Sequence, residues 1–95
     1  MHAVVNHLRF SDDVDPTLFA AMEDLIPQMA AIDGLVRVQV VQTSPTEVTL
    51  LIFAVDAETL DRIATEVGSP WMLANVVPLL AAPPDRRVGA VLVSS

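Results

Sequence analysis

Four stretches of the chain alternate between hydrophobic and polar positions, which is the spacing of a β-strand with one buried face. They cover Ala3–Phe10, Leu35–Thr43, Glu47–Val55 and, after Ala82-Pro83-Pro84, about Arg86–Val93. The third stretch is rich in β-branched residues, which favour strands. Only Ser44-Pro45-Thr46 separates it from the second, so the pattern predicts four strands with a hairpin between the second and third.

The segments between the strands have hydrophobic residues at helical spacing. The first helix is predicted to begin at Asp15-Pro16, a side-chain cap followed by proline, and to end at Asp33-Gly34. A second helix is predicted after Asp56, with Gly68 as its end. Ser69-Pro70 then predicts the start of a further short helix.

The resulting order, β-α-β-β-α-(α)-β, places the chain in the α+β class with a ferredoxin-like fold. Such a fold has a four-stranded antiparallel sheet with its helices on one face. No linker or internal repeat interrupts the pattern, so residues 1–95 are predicted to form a single domain.

The two faces of the predicted sheet differ in polarity. One face is hydrophobic at every position except Asn6, and it is therefore expected to pack against the helices. The opposite face mixes polar residues with hydrophobic ones, among them Leu51, Phe53, Val55, Val91 and Val93. A monomer rarely exposes so large a hydrophobic patch, so we expect a homodimer in which two sheets pack face to face.

Composition limits the remaining classes of protein. Of the 95 residues 53% are hydrophobic, which argues against disorder, yet no apolar run is long enough for a membrane helix. The net charge of −7 disfavours nucleic acid as a partner. The absence of cysteine removes disulfides and thiolate metal sites, and with no recognisable leader it favours a cytoplasmic location.

Several short motifs resemble the antibiotic biosynthesis monooxygenase (ABM) family of the dimeric α+β barrel superfamily. They are the first strand with Asn6, Ile32-Asp33-Gly34-Leu35, Val55-Asp56-Ala57-Glu58 and Gly68-Ser69-Pro70. The resemblance implies a ligand pocket between sheet and helices. It also implies one of two activities: cofactor-independent oxidation of quinols or anthrones, or haem degradation.

The haem-degrading members use an Asn, a Trp and an axial His. Asn6 matches the first, but the Trp position falls on Ile63 and the His position near Ala74 or Asn75. Without an axial imidazole haem iron is poorly held, so no cofactor and no metal are expected.

Asn6 is the predicted catalytic residue, because a buried amide must find a hydrogen-bond partner. It orients a substrate or O₂, or it bonds to the backbone near the short helix; both readings stay open. An enzyme should have a cavity of roughly 300 Å³ or more at Asn6, whereas a scaffold should fill that space with side chains.

Trp71, Met72, Asn75 and Met22 are the predicted substrate-binding residues. Trp71, Met22 and Met72 also have a structural reading, because Trp and Met are common core fillers. His7 points to the opposite face by strand parity, where a structural role is expected. Asp12, Asp13 and Asp15 lack the spacing of a calcium loop, and a capping role is expected for this cluster. The strand arginines, Arg9, Arg37, Arg86 and Arg87, can pair with these carboxylates across the dimer.

The function predicted from this resemblance is oxygen-dependent oxidation of a small aromatic or quinol-type substrate. None of the predicted site residues is a general base. The alternative is a ligand-binding or stress-responsive dimeric barrel without enzymatic activity. His7-Leu8-Arg9-Phe10 and the following acidic loop also resemble the opening of the stress-responsive A/B barrel group. An isomerase working by proton transfer is a third reading.

Overall fold

The computed structural model describes all 95 residues. Its strands are β1 (His2–Arg9), β2 (Leu35–Ser44), β3 (Glu47–Ala54) and β4 (Asp85–Ala90), and its helices are α1 (Pro16–Ala30), α2 (Ala57–Ile63) and α3 (Ser69–Asn75). All neighbouring strands are antiparallel, in the order β2-β3-β1-β4. The predicted ferredoxin-like arrangement is confirmed. No helix combines the length and the apolar character that crossing a membrane requires.

Aspartate caps fix the beginnings of the first two helices, as the sequence predicts. Asp15 accepts hydrogen bonds from the backbone N–H and the hydroxyl of Thr17, each at 2.9 Å. Asp56 accepts from the hydroxyl of Thr59 at 2.7 Å and from its backbone N–H at 2.8 Å. These bonds stabilise the ionised carboxylates, and they hold the pKa of both groups below the ordinary value of 3.8.

The buried core lies on the helix side of the sheet, in two clusters of hydrophobic side chains. The larger cluster joins Val4, Leu50 and Ile52 to α1 and α2, and the smaller one joins Leu8 and Val48 to α1 and the segment after α3. Leu8 and Val48 face each other across β1 and β3, and neither is exposed at all. The predicted strand parity is therefore confirmed for the two central strands.

Strand β2 departs from that parity at its first residues. Leu35 pairs with Ala54 and Arg37 pairs with Phe53, so Val36 is an extra residue in a bulge. Val36 is consequently 50% exposed, although alternation alone predicts that it faces the helices. Beyond the bulge, Val38 and Val40 return to the helix side.

Gly68 does not end the second helix, contrary to the sequence prediction. Ala64–Gly68 forms a π-helical turn in which the N–H of Ser69 donates to the carbonyl of Ala64, and α3 follows without a break. Pro70 has no N–H for the Glu66 carbonyl, and its ring would crowd that carbonyl in a regular α-helix. The wider π turn gives the proline room.

Strand β4 is shorter than predicted because its partner ends. It pairs only with β1, and the last hydrogen bond joins the N–H of Val91 to the carbonyl of Met1. Leu92 and Val93 therefore have no strand beside them, and they are 89% and 91% exposed.

Gly34 connects α1 to β2 in a backbone conformation that L-residues rarely adopt. Its φ is +102°, and a Cβ at this position would lie 2.9 Å from both the hydroxyl of Thr59 and a methyl group of Val55. We expect Gly34→Ala to lower the free energy of unfolding by roughly 2 kcal/mol or more, through strain and overlap together.

Urea denaturation of the purified variant measures that change. Gly89→Ala is the matched control, because no atom lies within 4 Å of the position of its Cβ and its φ is not positive. We expect the control to change stability by less than about 0.5 kcal/mol. Equal losses in the two variants would contradict the assignment of strain to Gly34.

The face of the sheet that the helices leave uncovered is called the open face below. Its hydrophobic residues include Val5 and Val41, each 44% exposed, and the half-buried Leu51 and Phe53. The guanidinium of Arg37 lies over the Phe53 ring, 4.4 Å from its centre. The open face is thus a mixed hydrophobic and polar surface, as strand parity predicts.

Candidate functional site

A cavity of about 390 Å³ lies between the helix side of the sheet and the helices. β1 and β3 form its floor, α1 forms one wall, and the π turn with α3 forms the other. Sixteen of its 21 lining residues are hydrophobic. The volume exceeds the roughly 300 Å³ expected of an enzyme site, and it falls in the usual range of small-molecule sites.

Asn6 is the polar residue on the floor of this cavity. Its side chain is 7% exposed, and its Oδ1 atom is buried without any hydrogen-bond donor. The helix-facing parity of β1 places it there, between Val4 and Leu8. The alternative reading, a bond from Asn6 to the backbone near α3, is not observed. An unpaired buried acceptor costs free energy, so this atom is suited to a donor from a ligand.

Arg86 is the charged residue of the same cavity. It is the cross-strand partner of Asn6 in the β1–β4 ladder, and antiparallel partners project to the same face. The sequence groups Arg86 with the strand arginines that can pair across a dimer, but the structure places Arg86 on the helix side, with Val88. Strand parity in β4 was the available signal, since Arg86 shares the parity of residues 88 and 90.

The predicted substrate-binding residues separate into two groups. Met22, Trp71 and Met72 line the cavity together with Asn6. Trp71 packs against both core clusters, which places it where they meet. Asn75 does not reach the cavity: it is exposed, and its amide donates to the carbonyl of Trp71 at 3.0 Å. Its side chain therefore serves its own helix.

The cavity lining carries few chemically reactive side chains. Apart from Arg86 no ionisable side chain lines the cavity, so it contains no carboxylate or imidazole to act as a base. It offers haem iron no imidazole, thiolate or phenolate, and its only sulfur groups are methionine thioethers. No group of three or more His, Cys, Asp or Glu side chains is arranged to hold a metal ion.

His7 lies on the open face, as parity predicts, and does not reach the cavity. Its Nδ1 is 3.1 Å from the hydroxyl of Thr49, and its Nε2 is 3.3 Å from a carboxylate oxygen of Glu47. The same oxygen of Glu47 lies 3.4 Å from the guanidinium of Arg9. These residues form a polar cluster on the open face.

The sequence matches no protein-family model and no curated protein. Its structure superposes on Rv0793 from Mycobacterium tuberculosis with a TM-score of 0.81 and 22% identity, covering 99% of this chain and 97% of that one. SnoaB, a cofactor-independent oxygenase from Streptomyces nogalater, gives a TM-score of 0.76 at 12% identity, covering 98% of this chain and 94% of SnoaB.

A candidate antibiotic biosynthesis monooxygenase from Bordetella bronchiseptica gives a TM-score of 0.76 at 13% identity, covering 97% of each chain. A dimeric ferredoxin-like protein from an uncultured marine organism gives 0.69 at 15% identity, covering 99% of this chain and 96% of that one. At these identities the comparisons establish the fold. The chain has the ferredoxin-like fold that these proteins share, as the sequence predicts.

Proposed function

We propose that this protein is a small cofactor-independent oxygenase that acts on an aromatic or quinol-type substrate in the cavity at Asn6. The observation that carries the proposal is the unpaired, buried Oδ1 of Asn6 on the floor of a cavity of about 390 Å³. An apolar site with few polar groups suits a flat, electron-rich ring. The shared fold with SnoaB supports the same class of reaction.

The chemistry needs little from the protein beyond binding and orientation. In the oxidation of an anthrone, the ring methylene loses two hydrogens and gains one oxygen atom from O₂, and the other oxygen atom leaves as water. The ionised substrate itself supplies the electrons. Oδ1 of Asn6 accepts a hydrogen bond from a substrate hydroxyl and so orients the ring, and the apolar lining excludes water from the reacting carbon.

A second function, ligand binding without chemistry, is favoured by one specific observation. No carboxylate, imidazole or phenol lines the cavity, so no side chain there removes a proton from the substrate. A ligand-binding barrel needs no such group. The two functions share the cavity and differ in whether O₂ is consumed.

Oxygen uptake with anthrone and with substituted hydroquinones tests the oxygenase proposal. We expect Asn6→Ala to lower kcat/KM about tenfold, since the loss of one orienting hydrogen bond from a substrate hydroxyl to Oδ1 costs about 1 kcal/mol. The variant should fold, because Oδ1 has no intramolecular partner to lose. Asn75→Ala is the matched control, since that exposed amide lies outside the cavity.

Equal rates in wild type and Asn6→Ala would remove Asn6 from the mechanism. If the wild type binds anthraquinone but takes up no oxygen with anthrone or the hydroquinones, the binding function is favoured.

We also propose that the protein forms a homodimer through the open face. The open face carries three of the five arginines but only two of the twelve acidic residues, Glu47 and Asp85. The open face thus carries a net charge of +1 and the rest of the chain −8, and the negative charge opposes other contacts between copies. The hydrophobic residues of the open face then gain a partner surface of the same composition.

A further inference from the structure

We propose that the cavity selects apolar ligands that carry one anionic oxygen group, a carboxylate, and that Arg86 recognises this charge. The inference deepens the proposed function, because it uses the same cavity, but it requires binding alone and no oxidation. Three observations support it: the position of Arg86, its lack of a counter-ion, and the unpaired acceptor on Asn6 beside it.

Register places the guanidinium-bearing residue beside the amide. Asn6 and Arg86 are direct partners in the antiparallel β1–β4 ladder, as are Val4 and Val88 one pair further along. Cβ atoms of such partners lie about 5 Å apart on one face of the sheet. Asn6 is buried and Arg86 is exposed at the strand edge, so the pair runs from the cavity floor to its rim.

Every other arginine already has a partner. Arg9 lies 3.4 Å from Glu47, Arg62 lies 3.7 Å from Glu66, and Arg87 lies 3.2 Å from Asp85. Arg37 stacks over Phe53. Arg86 has no ion pair and no side-chain hydrogen bond, although the chain has twelve acidic residues and five arginines. Arg86 is thus free to bind an anionic ligand, although acidic residues outnumber arginines in the chain.

A free guanidinium at the rim of an apolar cavity favours a ligand carboxylate. Its planar set of donors binds a carboxylate with two parallel hydrogen bonds, which are stronger than bonds between neutral groups. Oδ1 of the neighbouring Asn6 lacks a donor. A ligand that carries a hydroxyl near its carboxylate would donate to Asn6 while the carboxylate binds Arg86. The ligand class is therefore an aromatic acid, with hydroxyaromatic acids preferred.

The overall charge of the protein does not cancel this local preference. The net charge of −7 repels anions at long range, but salt screens charges separated by more than about 8 Å at physiological ionic strength. No acidic side chain lines the cavity to oppose the anion at short range. Selectivity for an acid would thus arise from direct contact with Arg86, and it would depend on that one residue.

Equilibrium titration calorimetry tests the inference with 2-naphthoate and its neutral analogue 2-naphthamide at pH 7.5, where the carboxyl is ionised. We expect wild type to bind the carboxylate at least about tenfold more tightly than the amide, the difference one charge-assisted bond supplies. Arg86→Gln should remove the preference. Arg87→Gln is the matched control, because this neighbour projects to the open face and pairs with Asp85. We expect the control to keep the preference.

The outcomes separate this inference from the proposed function. Equal binding of both probes by wild type would overturn charge recognition and would leave the cavity as a ligand site. A preference that survives in Arg86→Gln, with circular dichroism showing a native fold, would also overturn it. Binding of neither probe would overturn the inference, whereas oxygen uptake would still test the oxygenase. Tighter binding of 3-hydroxy-2-naphthoate than of 2-naphthoate, lost in Asn6→Ala, would support the paired roles of Asn6 and Arg86.

Discussion

Leu8→Ala is expected to lower the free energy of unfolding by about 3–5 kcal/mol, the range measured for fully buried leucines. Leu8 has no exposed surface, and it packs in the smaller core cluster against Val48 and Phe10. The shortened side chain would leave a void between the sheet and the helices, near the end of β1 and the start of β3. A loss of this size is a large share of the total stability of a small domain.

Urea denaturation at one fixed protein concentration measures this loss, since association with a second copy adds to apparent stability. Leu73→Ala is the matched control, because Leu73 is 65% exposed on α3. We expect the control to change stability by less than about 0.5 kcal/mol. If both variants lose the same amount, β1 does not bury the face assigned to it.

Leu51→Lys is expected to convert the proposed dimer into monomers. Leu51 lies on the inner strand β3, between Val5 of β1 and Gln39 of β2, near the middle of the open face. In a symmetric dimer each copy would bury one such lysine in the interface, on a face that already carries Arg37 and Arg87. Burial of an unpaired charge costs several kcal/mol, so the dimer Kd should rise at least about a thousandfold.

Sedimentation velocity over a range of micromolar concentrations distinguishes the two states. Leu73→Lys is the control, since it adds the same charge to an exposed position on the helix side. We expect wild type and the control to sediment as dimers, and Leu51→Lys to sediment as a folded monomer. A wild-type protein that stays monomeric throughout this range would rule out the dimer.

The local signals in the sequence were sufficient for the protomer fold. The caps at Asp15 and Asp56 and the positive φ at Gly34 follow from side chains within a few residues of each turn. Asn6 was identifiable because it is the polar exception on an otherwise hydrophobic face. These features depend on neighbours along the chain, which a sequence displays directly.

Features that depend on pairing between distant segments were missed. The bulge at Val36 requires the register of β2 against β3, and the end of β4 depends on where β1 begins. Arg86 becomes a cavity residue only when β4 is aligned with β1, which places it opposite Asn6. The π turn before Pro70 is a local feature, but Gly68 is also a common helix terminator and that reading was wrong here.

The cavity links ligand binding to folding. Its walls belong to both core clusters, with Trp71 touching each, so the space exists only when the helices are docked on the sheet. A compound that binds the folded state alone shifts the folding equilibrium, by about 2.7 kcal/mol at a hundred times its Kd. The rise in melting temperature on adding a compound therefore reports how fully that compound occupies the cavity. A library of aromatic acids can be ranked by this shift before any reaction is known.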